Sequence, residues 1–340
     1  MRILRPRALV VYVYFLDIVA ATASCSSVTI TSQGDADTIR SCSTITGDLV
    51  LATNSAGSIA LDGVQVIEGS FTSELCSSGS SCSGLASLSS STLTSVSYGV
   101  TLQSFSSLTN INFPQLLSTG SAFSLEDLPA LQNVSVPQLA SAENFRISNT
   151  PQLTNLTLDL LQNVSSVAVT DVGLSTFPTI VSTSEITSFI VSGVNNLGLL
   201  SIDTPSIGLL DVRGNGSLGF ILGGSKINKN NNTVYDFPIS SIDTINLFGI
   251  GSIAHLPNAT ITNFNSTGNN FPIIGFNENK GLTNIYIVDN PFLKSISWPD
   301  TQVLNNITIT GNPLLTEAVG WSVQNVTNYY VTGSFNDEFV

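Results

Sequence analysis

Leu131-Gln132-Asn133-Val134-Ser135-Val136-Pro137-Gln138-Leu139 matches Leu108-Thr109-Asn110-Ile111-Asn112-Phe113-Pro114-Gln115-Leu116 type for type, and its first six positions recur at Leu153-Thr154-Asn155-Leu156-Thr157-Leu158. The shared phrase is Leu-x-x-apolar-x-apolar. Looser copies begin at Leu174, Leu197, Leu218 and Ile242, with leading positions 21 to 24 residues apart, and the phrase returns at Leu282 and Leu293. A fixed period of this length marks a repeat architecture.

The interval from Leu282 to Leu293 is half a period, and it exposes a second strand in each repeat. Phe145-Arg-Ile147-Ser-Asn149-Thr-Pro151, Leu210-Asp-Val212-Arg-Gly214-Asn215-Gly216, Ile285-Tyr-Ile287-Val-Asp289-Asn-Pro291 and Ile307-Thr-Ile309-Thr-Gly311-Asn312-Pro313 are short alternating runs, each followed by Asn, Asp, Gly and Pro. Those residues accept the left-handed or fixed φ of tight turns. Each repeat therefore holds at least two short strands joined by corners. A strand this short cannot bury its apolar side alone, but stacked coils can set each Leu or Ile beside its counterpart. The sequence predicts an all-β parallel β-solenoid with about 22 residues per coil.

Composition agrees. The 340 residues are 42% apolar and only 10% charged, against about 25% charge in ordinary domains. Polarity sits instead in Ser, Thr, Asn and Gly, which disfavours helices with solvated charged faces. The apolar content is too high for disorder. A formal charge of −13 argues against nucleic acid as a partner.

The N-terminus reads as a secretory signal over residues 1–23. Arg2, Arg5 and Arg7 precede an apolar run from Ala8 to Ala21, and Ala21-Thr22-Ala23 supplies a small-residue cleavage site. Cleavage there removes three arginines and Asp17, taking the formal charge from −13 to −15. The remainder, 24–340, reads as one solenoid ectodomain, with 24–85 as a disulfide-bearing N-terminal cap region. Export makes Cys25, Cys42, Cys76 and Cys82 disulfide candidates. Four cysteines allow three pairings, and local loop closure favours Cys25 with Cys42 and Cys76 with Cys82. Metal ligation is the weaker reading, because Cys-x5-Cys has no histidine beside it. N-glycosylation sequons begin at Asn133, Asn155, Asn163, Asn215, Asn231, Asn258, Asn265, Asn306 and Asn325. Their number is close to chance for a chain so rich in Asn, Ser and Thr. They suit an exported glycoprotein.

The signal, the early cysteines and the Pro-x-Leu-x-x-apolar-x-apolar-Pro-x-Leu phrase, clearest at Leu108–Leu116 and Leu131–Leu139, resemble the fungal GPI-anchored cell-wall organisation proteins. The resemblance runs from Cys25 to about Tyr330. It implies a receptor L-domain-like ectodomain, that is, a leucine-rich right-handed parallel β-helix. It also implies a secreted location at the cell wall or outer face of the plasma membrane, and a role in wall organisation without catalysis or cofactors. The expected partners are wall polysaccharide or wall proteins. The chain as given ends Gly333-Ser-Phe-Asn-Asp-Glu-Phe-Val340, without the Ser/Thr-rich stalk and apolar tail of the family. Membrane contact is thus expected only through an anchor whose signal these residues lack, and the alternatives are truncation, which is favoured, or free secretion.

Chemistry-bearing residues are sparse. His255 is the one histidine, and no Gly-x-Ser-x-Gly elbow accompanies it. A glycoside-cleaving β-helix needs two carboxylates facing one groove. Glu126 and Asp127 are adjacent and point apart on a strand, while Asp171 and Asp289 fall at corners. Asp35, Asp37 and Glu278 complete the set considered. Gly214-x-Gly216-x-x-Gly219 has no helix to receive a phosphate. A regular Thr-x-Thr ladder, which ice binding needs, is confined to Thr308-Ile-Thr310. Aromatics gather late, at Trp298, Trp321, Tyr329 and Tyr330, as platforms for sugar or as core and cap. Repeat alignment puts Trp298 in the core slot of Phe113 and Val136. The expected catalytic, cofactor and metal residues are none. The alternatives are a wall-polysaccharide hydrolase or transglycosylase, and an adhesin or receptor ectodomain.

Overall fold

Alternation in the repeat phrase decides which residues meet. Asn110–Asn112, Asn133–Ser135 and Asn155–Thr157 pair in parallel and in register, so Ile111, Val134 and Leu156 stack in one inward column. A computed structural model describes residues 23–76, 82, 84–194, 197–216, 218–222, 224–227, 233–236, 239–253, 256, 259–276, 279, 281–298, 303–319 and 325–333. Over these residues the chain is a parallel β-solenoid with coils about 22 residues long, as in Asn133 opposite Asn155. The exceptions to its parallel pairing and all-β character are one antiparallel hairpin and a short helix, Gln33–Thr38. The expected signal segment lies outside the described residues except for Ala23.

One face of the solenoid is an 18-stranded sheet running from Ala23–Cys25 to Asn325–Val331. The opposite side carries separate sheets of five, four and three strands. Inside the long sheet, Phe123, Phe145, Val167, Phe189, Leu210, Ile245, Phe264, Ile285 and Ile307 are successive register partners. All are buried, and the Phe123 and Phe145 rings stack at 5.7 Å. Each strand thus contributes about one fully buried side chain per column, worth about 1.5–3 kcal/mol. No strand could hold that gain alone.

The corner after each long strand is a second column. Ser104, Asp127, Asn149, Asp171 and Asp289 have positive φ, as do Gly193, Gly249, Gly268 and Gly311. Asn and Asp tolerate this region, and glycine enters it freely. At Gly311 the absence of a side chain is needed twice, because a Cβ there would also collide with the Asp289 carboxylate of the preceding coil.

The Ile242 phrase, grouped by spacing with those at Leu108 and Leu131, belongs to the other face. Ser241–Phe248 is a long-sheet strand paired with Ser206–Arg213. The true counterpart of Gly219–Leu222 is Ser252–Ile253. Ile207 and its partner Ile242 are 35 residues apart, against 21 for Ile186 and Ile207. The extra length holds the antiparallel hairpin of Gly224–Ile227 with Thr233–Asp236. Half a coil plus a hairpin happens to imitate one period.

In the N-terminal coils, disulfides join Cys25 to Cys42 and Cys76 to Cys82, with Cα separations of 5.8 and 5.9 Å. The first links paired strands, Ala23–Cys25 and Cys42–Ile45. The short helix starts at Ser32, whose backbone N–H donates to Asp35 Oδ2 at 3.0 Å. The Thr31 side-chain and backbone donors and those of Ser32 hold the Asp35 carboxyl below its ordinary value.

Candidate functional site

The C-terminal end of the long sheet presents an unusual outer surface. Thr260–Thr267, Asn284–Val288, Val303–Thr310 and Asn325–Val331 contain no Asp, Glu, Lys or Arg, in a chain whose formal charge is −13. Alternation points Asn263, Asn284, Asn306 and Asn328 outward in one register column. Their amides form a ladder across the coils. Asn284 Nδ2 donates to Asn263 Oδ1 at 2.6 Å, Asn306 Nδ2 to Asn284 Oδ1 at 2.5 Å, and Asn328 Nδ2 to Asn306 Oδ1 at 2.8 Å. Asn263 Nδ2 extends it to Thr244 Oγ1 at 3.2 Å. A primary amide has two N–H donors and two oxygen lone pairs. An interior member such as Asn284 therefore keeps one donor and one acceptor beyond its ladder bonds.

Two residues along the same strands lies the column Tyr286, Thr308, Tyr330. Tyr286 is 39% and Tyr330 59% exposed. Tyr329 takes the inward slot opposite Ile307 yet is half exposed, and partial burial raises its hydroxyl pKa. Trp298 occupies the core at 3% exposure, against Phe276 at 5.9 Å. This is the core slot that repeat alignment assigns to it. Trp321, His255 and Glu278 lie outside the described residues.

At the other end of this surface is a groove of about 280 Å³, lined by Glu185, Ile207, Gly208, Ser241, Ile242, Asp243, Thr260 and Thr262. Its floor is low because Gly208 stands where neighbouring coils carry side chains. A Cβ at Gly208 would meet the Thr187 carbonyl oxygen at 2.6 Å. Glu185 and Asp243 are exposed carboxylates two coils apart and offset by two residues along the strand direction, about 12 Å between backbone positions at the usual strand spacing and rise. The sequence did not single out this pair. Its only prior signal was the presence of carboxylates beside strand starts, which many exposed positions share.

The carboxylates considered from sequence fall elsewhere. Glu126 accepts from Ser124 Oγ at 2.7 Å and pairs with Arg146 Nε at 3.1 Å. Asp127 is at the left-handed corner and accepts from Asn149 Nδ2 at 2.8 Å. Asp171 and Asp289 are at the same corner of other coils. Asp37 accepts from Gln33 Nε2 at 3.0 Å. These are separate structural positions along the solenoid. Among the described residues no group of three or more His, Cys, Asp or Glu is placed to hold a metal ion.

Of the sequon asparagines, Asn155, Asn163, Asn215 and Asn325 are exposed, while Asn133, Asn265 and Asn306 are half-buried. Asn133 and Asn155 are register partners. Asn265 Nδ2 donates to Asn246 Oδ1 at 2.6 Å, and Asn306 is a rung of the ladder. Asn231 and Asn258 lie outside the described residues. No described helix is long and apolar enough to cross a membrane. Comparison with known proteins finds no matching family model, no matching curated protein and no matching solved structure.

Proposed function

We propose that this leucine-rich solenoid is a non-enzymatic secreted or cell-surface glycoprotein that contributes to fungal cell-wall organisation by holding wall material along its long sheet. The observation that carries this reading is the uncharged amide and tyrosine surface of Thr260–Thr267 through Asn325–Val331. Such a surface offers hydrogen bonds without ionic selectivity. Aromatic rings add apolar area beside polar groups, the combination that a neutral polysaccharide presents in return. The resemblance of the repeat phrase to wall organisation proteins points the same way, and an anchor of the GPI type would place the solenoid at the wall.

The test is sedimentation of the secreted chain with insoluble β-glucan, chitin and mannan, with new reducing ends scored in the same tubes. Retention without new reducing ends supports the reading. A second reading, wall-polysaccharide hydrolase, is favoured by the groove holding Glu185 and Asp243. Inverting glycosidases place their carboxyls about 6.5–9.5 Å apart, so this reading requires the two side chains to lean toward each other across the groove. Under that reading reducing ends appear and vanish in Glu185→Gln or Asp243→Asn.

A further inference from the structure

We infer that the tyrosine column binds an extended β-1,4-linked pyranose chain, laid across the coils parallel to the stacking axis, with Tyr286 and Tyr330 beneath alternate rings. This rests on the wall-binding reading above and narrows it to one linkage class.

Spacing carries the argument. Tyr286, Thr308 and Tyr330 are register partners on three successive coils. Adjacent parallel strands are about 4.8 Å apart, so the two tyrosines stand about 10 Å apart along the axis. In an extended β-1,4-linked chain each ring advances by nearly one coil, and successive rings are turned over. The same ring face therefore returns at every second ring, in step with the tyrosines. The intervening Thr308 is small, which leaves room for the inverted ring and its exocyclic group. β-1,3-linked glucans coil and do not keep this two-ring step.

Polar groups flank the column on both sides. Asn284, Asn306 and Asn328 run along one edge, held rigid by their mutual amide bonds. On the other edge the column is Val288, Thr310 and Thr332, where the two threonines share a 2.7 Å hydroxyl contact. Along the asparagine edge ligand hydroxyls meet fixed donors and acceptors at one set per coil, so little side-chain ordering remains to oppose binding. The absence of charged residues from these four strands suits a neutral polymer. The chain's acidic balance disfavours an anionic one. A glycan on Asn306 would lie over the column, so the binding form carries none there, although Asn306-Ile307-Thr308 is a sequon.

The experiment uses the secreted full chain with chitin, cellulose, β-1,3-glucan and mannan, alongside soluble hexasaccharides for titration. Expected are retention on the β-1,4 polymers, about tenfold weaker binding in Tyr286→Ala or Tyr330→Ala, and loss in the double variant. Tyr98→Ala, an exposed tyrosine on a distant coil, binds as the parent does. Mass spectrometry of the peptide bearing Asn306 finds no glycan. Retention on β-1,3-glucan or α-linked mannan that ignores both tyrosines overturns this inference and leaves the wall reading standing. So does β-1,4 binding that the tyrosine variants do not weaken, or a glycan on Asn306 in the bound protein. No retention on any polymer removes both.

Discussion

From Phe105 to Val194, the residue following the left-handed corner is Phe105, Leu128, Thr150, Val172 or Val194, whereas in the last described coils it is Asn269, Asn290 or Asn312. Both sets are buried. The early coils fill the corner with hydrocarbon. The late ones thread it with amides: Asn290 Oδ1 accepts from Asn269 N and Ser266 Oγ, both at 3.0 Å, and its Nδ2 donates to the Ser266 and Val288 carbonyls at 3.1 Å. Asn312 Oδ1 in turn accepts from Asn290 N at 2.9 Å. The outer surfaces differ in parallel. Early coils are tied by Arg146 with Glu126 and late ones by the Asn263–Asn328 ladder. One backbone course thus admits an apolar and an amide solution, and they fail differently.

The largest effect is expected from Asn290→Ala. It strands the buried Asn269 N–H, whose lost partner alone costs about 1–3 kcal/mol, and removes other bonds besides. We expect a total near 3–5 kcal/mol by chemical denaturation. Replacing Asn269, Asn290 and Asn312 together with apolar residues should cost less than the sum of the single changes. Additive losses would show that the late coils cannot accept the early solution.

The same corner offers a gain of about 1 kcal/mol in the other half. Thr150 lies in the hydrocarbon column, fully buried, and its hydroxyl has no hydrogen-bond partner among the described residues. Its register partner is Val172. Thr150→Val removes an unsatisfied polar group without opening a cavity, and should raise the unfolding free energy by that modest amount, seen as a higher denaturation midpoint. A loss would mean that the hydroxyl has a partner, such as a buried water.

These contrasts also mark what the sequence makes legible. Coil period, strand alternation and the core place of Trp298 follow from apolar spacing alone. The corner at Asp289-Asn290 is legible only as a turn, since both residues are turn formers. Yet Asp289 is exposed at positive φ while Asn290 is wholly buried. Side-chain amides with coil-to-coil partners are needed to tell them apart, and those partners lie about 22 residues away, as with Asn312. The Ile242 phrase misleads because a hairpin restores a false period. The Glu185–Asp243 groove depends on a missing side chain at Gly208, which spacing does not reveal.

On the outer surface the comparison predicts a smaller effect. The Arg146–Glu126 pair is half exposed, and exposed pairs contribute about 1 kcal/mol or less. Arg146→Ala should cost no more than that, and added salt should shrink the difference. The amide ladder of the late coils carries no charge, so salt should leave Asn284→Ala unchanged.

The smallest expected effect separates the two regions by pH. Asp62, between early coils, accepts from Ser91 N at 2.8 Å and Ser91 Oγ at 2.7 Å. The Ser91 backbone bond, then its side-chain bond, lower the Asp62 pKa in the folded chain. A carboxyl with a lowered folded pKa contributes stability that is complete above its unfolded value of about 3.9, and that fades as pH falls through the folded one. Asp35, lowered by Thr31 and Ser32 donors, acts with the same sign. Acidification below about pH 4 should therefore loosen the coils around Asp35 and Asp62 first. No amide between Asn263 and Asn328 titrates. Hydrogen exchange at matched intrinsic rates should show protection falling in the early coils and holding in the late ones, and Asp62→Asn should flatten the early response. Equal acid loss in both regions would mean that the solenoid melts as one cooperative unit, with the corner chemistry of each half setting only its share of the total.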